Sequence, residues 1–242
     1  MAIANKTVLI TGSNRGIGRA LVEEALKRGA KRVYAGARNA IRHPDKRVTP
    51  VTLDVTSASQ IQQAAAEIDT LDVLINNAGI AIYDDLSNFE VIEQHLAVNL
   101  FGPLNMSRAF LPPLTRSQGA IVNNLSLVAL AALPIIPAYS ISKAAALNMT
   151  QSMRAILAGQ GVMVHAVMLG PIDTDMNRGF EIPKASPESA AAGIFDGMES
   201  GEEEIFPDPV SQSIAEAWRT GAAKALERQF AAFVQAPAEN PV

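Results

Sequence analysis

A tyrosine and a lysine one helical turn apart are the residues of this sequence best suited to proton transfer. Tyr139 and Lys143 stand four positions apart on a predicted helix, so their side chains project from one face. A phenol has a pKa of about 10, and a neighbouring ammonium stabilises its anion and lowers that value. Ser126, at the end of a predicted strand, is positioned to donate a hydrogen bond to a carbonyl oxygen beside Tyr139. The three side chains indicate acid–base chemistry on a carbonyl or an alcohol, although a tyrosine–lysine pair taken alone often arises by chance.

A glycine-rich turn follows the first predicted strand, Thr7–Ile10, and opens a predicted helix over Ile17–Arg28. The turn consists of Thr11, Gly12, Ser13, Asn14, Arg15, Gly16, Ile17 and Gly18. Glycines at such a turn let backbone amides approach a pyrophosphate, and the helix N-terminus adds the positive end of its dipole. The spacing G-x-x-x-G-x-G differs from G-x-G-x-x-G, and an ordinary strand-to-helix turn is the alternative interpretation. Its place in the first βαβ unit favours the binding of a dinucleotide phosphate.

The end of the second predicted strand, Arg32–Ala37, bears on which dinucleotide binds. A site that prefers NAD places an acidic residue about 20 residues beyond the turn, where it holds the ribose 2′-hydroxyl. Here Arg38 follows the strand, and its charge-assisted hydrogen bond to a 2′-phosphate is worth about 1.5–3 kcal/mol. Arg15 in the turn adds a second cation, although both arginines could instead be ordinary solvated surface charges. The sequence therefore predicts NADP(H) in preference to NAD(H).

Predicted strands alternate with predicted helices along the whole chain. The strands are Thr7–Ile10, Arg32–Ala37, Thr49–Leu53, Asp72–Asn76, Ala120–Leu125, Val162–Leu169 and Glu203–Phe206. The helices are Ile17–Arg28, Ala58–Ile68, Phe89–Leu111 (stopped by Pro112-Pro113), Tyr139–Ala158, Ser186–Met198 and Ser211–Val234. This alternation predicts an α/β fold, a doubly wound parallel sheet in a single domain over residues 1–242. The proline- and alanine-rich tail Gln235–Val242 is predicted to be disordered.

Composition and charge exclude several classes of function. The 242 residues carry a net charge of −4, which gives no electrostatic basis for binding nucleic acid or an anionic membrane. Cysteine is absent, so disulfides, thiolate metal sites and cysteine nucleophiles are excluded. The histidines His43, His95 and His165 lie on separate elements, so no metal site is expected. The sequence shows no signal peptide and no apolar stretch long enough to span a bilayer, so we expect a cytoplasmic protein.

Taken in order, the motifs from about Lys6 to Met176 resemble those of the short-chain dehydrogenase/reductase family. The matching segments are the turn Thr11–Gly18, Leu53-Asp54-Val55, Asn76-Asn77-Ala78-Gly79, Asn99, Ser126 and Tyr139-Ser140-Ile141-Ser142-Lys143. The resemblance implies a Rossmann-like fold and an oxidoreductase that interconverts a carbonyl and an alcohol by hydride transfer with NADP(H).

The resemblance also implies roles for individual residues. Asn99 would order a water in a proton relay, Ser126 would polarise the carbonyl, and Tyr139 would transfer the proton. Lys143 would tune Tyr139 and bind the nicotinamide ribose. Further residues would contact the cofactor: Asp54 and Val55 at adenine, Asn77, Ala78 and Gly79 along the adenosine side, and Gly170, Ile172 and Thr174 at the nicotinamide end. The chain departs from the family at Leu169-Gly170-Pro171, where the proline follows the glycine instead of preceding it.

The substrate pocket is expected to be apolar. The segment 127–138 carries no charge, and Val128 and Ile136 from it, with Met176, are predicted to line a pocket for a ketone, an aldehyde or an aromatic carbonyl. About half of that segment is expected to form buried core instead. The loop Asp175–Ser186 would cover the substrate, and its shortness suggests an open site.

The sequence also leads to expectations about assembly and about an alternative function. The resemblance implies a homodimer through the predicted helices Phe89–Leu111 and Tyr139–Ala158, or a homotetramer, although the glycine-rich ending of many tetrameric members is absent. A non-enzymatic NADP sensor or scaffold is the main alternative function. The intact Ser126, Tyr139 and Lys143 argue against it.

Overall fold

One sheet of parallel strands runs through the computed structural model, which describes residues 1–39 and 42–235 of the chain. Its strands are β1 (Thr7–Thr11), β2 (Arg32–Ala37), β3 (Val48–Thr52), β4 (Val73–Asn76), β5 (Ala120–Asn124), β6 (Met163–Val167) and β7 (Glu204–Ile205). They pair in the order β3-β2-β1-β4-β5-β6-β7, so the direction of winding reverses between β1 and β4. The doubly wound parallel sheet predicted from the sequence is confirmed. A reversal of this kind leaves a crevice at the carboxyl ends of the two strands, where α/β proteins bind ligands.

Helices cover both faces of the sheet. They are α1 (Gly16–Lys27), α2 (Ala58–Glu67), α3 (Phe89–Leu96), α4 (Gly102–Ser117), α5 (Pro137–Leu157), α6 (Pro187–Glu199), α7 (Pro209–Thr220) and α8 (Ala222–Gln235). Alternate residues of each strand enter opposite cores, because successive side chains of a strand point to opposite faces. Val8 and Ile10 pack with α1 and α6, whereas Leu9 packs with α2 and α4. No helix of the described residues is both long and apolar enough to cross a membrane.

The predicted helix Phe89–Leu111 is instead three segments. A π-helical stretch, Ala97–Phe101, separates α3 from α4, and α4 continues through Pro112-Pro113 to Ser117. A proline inside a helix removes one hydrogen bond and costs about 3 kcal/mol, so the predicted stop was reasonable. The last turn of α4 survives because Phe110, Pro113 and Leu114 are buried and pack on the core.

The predicted terminal helix Ser211–Val234 is two helices, α7 and α8, that meet at Gly221. Asp208 starts α7 earlier than predicted, because its side chain accepts hydrogen bonds from the amides of Val210 and Ser211. Gly221 adopts an extended backbone (ψ 161°) that ends α7. Of the tail predicted to be disordered, Gln235 is the last residue of α8, and 236–242 lie outside the described residues.

Candidate active site

A cleft of about 620 Å³ opens at the carboxyl ends of β1, β2, β4 and β5. This volume is within the range of small-molecule sites, about 300–1,000 Å³. The structure brings most of the residues predicted for cofactor and substrate into its walls. These are Gly12, Asn14, Arg15, Gly16, Ile17, Gly18, Arg38, Asp54, Val55, Asn77, Ala78, Gly79, Tyr139, Lys143, Thr174 and Met176.

The turn after β1 requires glycines because its backbone lies too close to neighbouring atoms to leave room for side chains. Gly12 has a φ of +65°, and a Cβ on Gly18 would lie 2.0 Å from the carbonyl oxygen of Gly12. Arg15, the N-cap residue of α1, makes no side-chain capping bond, and the first turn of α1 contains no acid. No side chain of the first turn therefore competes with an anion in the cleft for the first backbone amides of α1 and the positive end of the helix dipole. The Ser13 hydroxyl donates to the carbonyl of Gly36, and the residue does not line the cleft.

The turn after β4 is fastened to the glycine-rich turn through side chains. The Thr11 hydroxyl oxygen accepts from the amides of Asn77 and Ala78, each at 3.0 Å. The Asn77 amide group donates to the carbonyl oxygen of Thr11 at 2.9 Å and accepts from the side chain of Asn124 at 2.9 Å. Three strand ends are thereby held in one arrangement, which makes the floor of the cleft rigid.

Charged side chains line the outer part of the cleft. Arg38 follows β2 and is exposed there beside Asn39. The acids that line the cleft in the described residues are Asp54 and Asp175. Hydrogen bonds from the side chain and amide of Thr56, together with the charge of Arg38, hold the pKa of Asp54 below its usual value. Asp175 pairs with Arg15 at 3.3 Å. Neither acid follows β2, where a carboxylate would repel a 2′-phosphate.

Tyr139 and Lys143 lie at the inner end of the cleft, in the first turns of α5. The Lys143 Nζ donates to the carbonyl oxygen of Asn124 at 2.7 Å and lies 5.6 Å from the centre of the Tyr139 ring. Burial raises the pKa of Tyr139 to about 12, although a hydrogen bond with Ser126 acts in the opposite direction. Burial lowers the pKa of Lys143 to about 8. In this arrangement desolvation of the phenol outweighs the lowering of the Tyr139 pKa that was predicted from Lys143.

Asn99 lies in the π-helical segment between α3 and α4. Its Oδ1 accepts from the amide of Ile80 at 3.0 Å, and its Nδ2 donates to the carbonyl of Ile80 and to the Ser142 hydroxyl, each at 2.9 Å. Such π-helical turns occur frequently at functional sites. Gly79 separates Asn99 from Lys143, since a Cβ there would lie 3.2 Å from the Asn99 Oδ1 and 3.8 Å from the Lys143 Nζ. Asn99 therefore fixes the wall beside Lys143 without lining the cleft itself.

A family model described as short chain dehydrogenase matches residues 6–184. The chain belongs to the short-chain dehydrogenase family. The resemblance seen in its motifs is thus confirmed, and the matched range contains the glycine-rich turn, the π-helical segment and the tyrosine–lysine pair.

Individual relatives of this short-chain dehydrogenase are similar over most of its length. The short chain dehydrogenase pigC of Monascus ruber is 36% identical over 73% of this chain and 66% of its own, so the chain spans just under two thirds of that relative. The ketoacyl reductase HetN of a Nostoc species is 30% identical over 88% of this chain and 82% of its own. The crystal structure of a short chain dehydrogenase from Burkholderia cenocepacia in complex with NADP is 38% identical, with a TM-score of 0.87 over 95% of this chain and 98% of that one.

Several predicted site residues of this short-chain dehydrogenase lie outside the cleft walls. Ile172 is buried in the core with α1 and α6, so only its backbone could face a ligand. The Gly170 amide donates to Asp208 at 2.8 Å, which turns this residue toward the start of α7. Val128 and Ile136 are half-buried and do not line the cleft, and Ser126 adjoins it through its bond with Tyr139.

The segment 127–138 is more exposed than predicted. Ala138 is its one fully buried residue, and Leu133 and Ile135 face solvent. Leu127, Ala129 and Leu130 pack only partly against the core beside α5 and α7. The expectation that half of this segment forms buried core is therefore wrong.

Sequence reasoning missed residues that position Tyr139 and Lys143. The backbone oxygen of Asn124 accepts a hydrogen bond from the Lys143 ammonium. Any residue type could supply this oxygen, so the sequence does not indicate the role. Asp84 accepts from the amide of Ala138 at 3.2 Å and caps the start of α5 from another segment, because the N-cap residue Ile136 has no capping side chain. Long-range contacts of this kind leave no local pattern in the sequence.

Aromatic side chains connect the segment after β4 to the predicted substrate loop and to Tyr139. Tyr83 stacks on Phe180 with ring centres 6.0 Å apart, which links the segment after β4 to the predicted substrate loop. His95 is fully buried, accepts from the amide of Ile82 and meets the Tyr139 ring edge-on at 6.3 Å.

Proposed function

We propose that this protein is an NADP(H)-dependent oxidoreductase that interconverts a carbonyl and an alcohol, with Tyr139 as the acid and base. The observation that carries the proposal is the Tyr139–Lys143 pair at the inner end of a glycine-walled cleft, with Lys143 buried and Tyr139 lining the cleft beside Ser126. The family of the chain supports this reaction class.

The residues present fit a dinucleotide. The tight turn at Gly12 and Gly18 leaves no room for a Cβ, and the uncapped first turn of α1 offers amides to a pyrophosphate. Lys143 is buried beside the cleft and uses one of its three N–H donors on Asn124, which leaves donors for ribose hydroxyls. Asp54 and Val55 would hold the adenine side, and Thr174 the nicotinamide side. When bound, NADPH supplies the hydride that reduces the carbonyl carbon.

The side chains of the chain itself handle the carbonyl oxygen and its proton. The Ser126 oxygen accepts from the amide of Val128 at 3.3 Å, so the hydroxyl proton is available to polarise the oxygen of the substrate. The raised pKa keeps Tyr139 a phenol at neutral pH, the form that gives its proton to the oxygen during reduction. The Lys143 ammonium then stabilises the phenolate that remains, and oxidation of the alcohol reverses these steps. Asn99 would order a water through which Tyr139 regains its proton.

An apolar carbonyl compound fits the mouth of the cleft best. Met176 lines the cleft and is exposed, as is Ile182 on the same loop. Leu133 and Ile135, on the segment before Tyr139, are further exposed apolar side chains. Burying such surface against a ketone, an aldehyde or an aromatic carbonyl is favourable.

The preference for NADP(H) rests on Arg38. Arg38→Asp should weaken NADPH binding at least about tenfold and improve NADH binding, because it replaces an attractive charge by a repulsive one. Arg32→Asp is the matched control, since Arg32 is an exposed arginine at the opposite end of β2. Cofactor titration by nicotinamide fluorescence measures both affinities. An unchanged ratio in Arg38→Asp would refute this assignment.

The reaction class is tested by absorbance at the nicotinamide band. NADPH and NADH are each mixed with the enzyme and a panel of ketones, aldehydes and aromatic carbonyls. Loss of the NADPH signal with some of them is the expected result. Loss with NADH alone would refute the role of Arg38 but keep the reaction class. Binding of both cofactors with no turnover in either direction would favour a non-enzymatic NADP sensor or scaffold.

A further inference from the structure

One wall of the cleft contains a buried hydrogen-bond acceptor without a partner. In the part of the chain that the structure describes, the buried side-chain atoms without a hydrogen-bond partner belong to Asn76, Asn124, His165 and Trp218. Of these residues, Asn124 is the one that lines the cleft, and it is 6% exposed. Leaving a buried polar atom unpaired is unfavourable, so the Asn124 Oδ1 requires a donor from outside the described chain.

The orientation of the Asn124 amide follows from its neighbours. The Asn77 Nδ2 donates to the carbonyl oxygens of Thr11 at 2.9 Å and Gly12 at 3.2 Å, and a carbonyl oxygen can only accept. The Asn77 Oδ1 must therefore face the side chain of Asn124, where it accepts from Nδ2 at 2.9 Å. This series of bonds leaves the Asn124 Oδ1, an acceptor with two lone pairs, as the atom without a partner.

The preceding residue, Asn123, has the same side chain but no such requirement. Successive residues of β5 point to opposite faces of the sheet. The Asn123 Oδ1 accepts from Asn76 at 2.8 Å, and its Nδ2 donates to the Thr150 hydroxyl at 3.0 Å. Asn123 is thus satisfied within the protein and does not line the cleft. The need for an external donor is specific to Asn124.

The position of Asn124 indicates which part of a dinucleotide supplies that donor. Asn124 is the last residue of β5, and its backbone oxygen accepts from the Lys143 Nζ at 2.7 Å. The proposed function puts the adenosine half at Arg38 and the reacting ring at Tyr139. The ribose of the nicotinamide half then lies beside Lys143 and Asn124, at the inner end of the cleft.

We propose that the Asn124 Oδ1 accepts a hydrogen bond from a hydroxyl of the nicotinamide ribose. This inference rests on the proposed function and deepens it by adding an acceptor to the site. A lysine ammonium can only donate, so a ribose hydroxyl that accepts from Lys143 still has its own proton to donate. The Asn124 Oδ1 is the acceptor beside Lys143 that lacks a partner. Through Asn77, the same amide links this ribose to the glycine-rich turn.

Two fragments of the cofactor test the proposal by calorimetry. 2′-Phospho-ADP-ribose keeps the second ribose and lacks nicotinamide, whereas adenosine 2′,5′-bisphosphate lacks both. Asn124→Leu removes the acceptor and nearly preserves the size of the side chain. Loss of one buried hydrogen bond should lower the affinity for 2′-phospho-ADP-ribose about tenfold and leave the affinity for the bisphosphate nearly unchanged.

The ratio of the two affinities separates contact with the ribose from a purely structural role. Asn124→Leu also removes the donor to the Asn77 Oδ1, and any resulting shift of the glycine-rich turn would weaken both fragments equally. Asn14→Leu is the matched control, because Asn14 is an exposed asparagine of that turn and lines the same cleft. The ratio should fall about tenfold in Asn124→Leu and stay at the wild-type value in Asn14→Leu. An unchanged ratio in Asn124→Leu would overturn the proposal.

Nuclear magnetic resonance of the wild type gives a second measurement that needs no variant at this position. The side-chain amide signal of Asn124 should move when 2′-phospho-ADP-ribose binds and stay in place when the bisphosphate binds. The signal of Asn123, whose polar groups have partners in the protein, should move with neither. Equal shifts of the Asn124 signal with both fragments, or no shift with either, would contradict the proposal.

Other outcomes separate this inference from the proposed function. A wild type that binds neither fragment nor NADPH would overturn both. Normal NADPH binding and carbonyl reduction with an unchanged fragment ratio would overturn the role of Asn124 alone. An affinity loss in Asn124→Leu that appears with NADP but not with 2′-phospho-ADP-ribose would assign the donor to the nicotinamide carboxamide, and the ribose assignment would be wrong.

Discussion

Polar side chains make different kinds of hydrogen bonds in two regions of the molecule. One region is the cleft, and the other is the β7 edge of the sheet, where α5 and α8 pack, which we call the C-terminal edge. In the cleft and its wall, Asn99 bonds to both polar groups of the Ile80 backbone, and Lys143 bonds to the backbone carbonyl of Asn124. At the C-terminal edge polar side chains bond to each other, as Lys224 does to carboxylates from β7 and from its own helix. Asn99 and Lys143 are held by backbone groups, which every residue type supplies. Each charged side chain around Lys224 is instead held by the other charged side chains.

This difference separates the chemistry of the chain from its stability. Backbone partners position Asn99 and Lys143 without adding a compensating charge, so burial lowers the pKa of Lys143 to about 8. The charges around Lys224 are compensated. Its hydrogen bonds to Glu203 and Glu204 outweigh the cost of burial and raise its pKa. We therefore expect changes at the edge to alter folding, and changes in the cleft to alter binding and turnover.

The largest expected effect on stability is at the edge. Lys224→Ala leaves three carboxylates and Arg154 in an unbalanced cluster, so the free energy of unfolding should fall by about 3–5 kcal/mol. Urea denaturation followed by circular dichroism measures this change. Turnover per folded molecule should stay close to wild type.

Lys27→Ala is the control for that experiment. Lys27 pairs with Glu24 at 3.1 Å, but its side chain is exposed, so the free energy of unfolding should change by less than about 1 kcal/mol. Equal destabilisation of Lys224→Ala and Lys27→Ala would contradict the contrast between buried and exposed charges.

A smaller effect on stability, with a large effect on cofactor binding, is expected in the cleft. In Gly18→Ala the new methyl group would lie 2.0 Å from the Gly12 carbonyl oxygen and 2.6 Å from the side chain of Asn77, so the turn must shift. Overpacking of this kind costs about 1–3 kcal/mol, and NADPH affinity should fall with it. Gly159→Ala is the control, because nothing lies within 4 Å of its added carbon. Normal NADPH affinity in Gly18→Ala would contradict the role given to this turn.

The mildest change is one of pH. Burial lowers the pKa of Lys143 to about 8, so the free enzyme loses the ammonium as the pH rises through that value. Tyr139 stays protonated, since its pKa is raised to about 12. Because kcat/KM reports groups of the free enzyme, kcat/KM for NADPH should be constant on the acid side of this pKa and fall on the alkaline side. A profile that stays flat through the alkaline range would show that the charge of Lys143 is not required.

The contrast between the two regions also explains what the sequence could predict. Short motifs revealed the glycine-rich turn and the tyrosine–lysine pair, because backbone geometry within a few residues dictates Gly12, Gly18 and the spacing of Tyr139 and Lys143. The alternation of strands and helices revealed the doubly wound parallel sheet. The π-helical turn at Asn99 was not predictable, since its bonds reach Ile80 and Ser142 in distant segments.

The C-terminal edge was the least predictable region. Arg154 and Glu227 stand 73 positions apart, and nothing near either residue signals the other. The break at Gly221 was missed because the apolar pattern continues across it. Packing likewise overrode a local rule at Pro112-Pro113, where buried neighbours keep the helix intact.

Tyr139→Phe tests the central claim most directly, because it removes one hydroxyl and leaves the ring that lines the cleft. Two quantities are measured on the same preparation: NADPH affinity by nicotinamide fluorescence, and the rate of carbonyl reduction by nicotinamide absorbance. The account predicts near-normal affinity and a rate lower by about 10²–10⁴-fold, the usual contribution of a general acid. Appreciable reduction by Tyr139→Phe would contradict the assignment of Tyr139 as the proton donor.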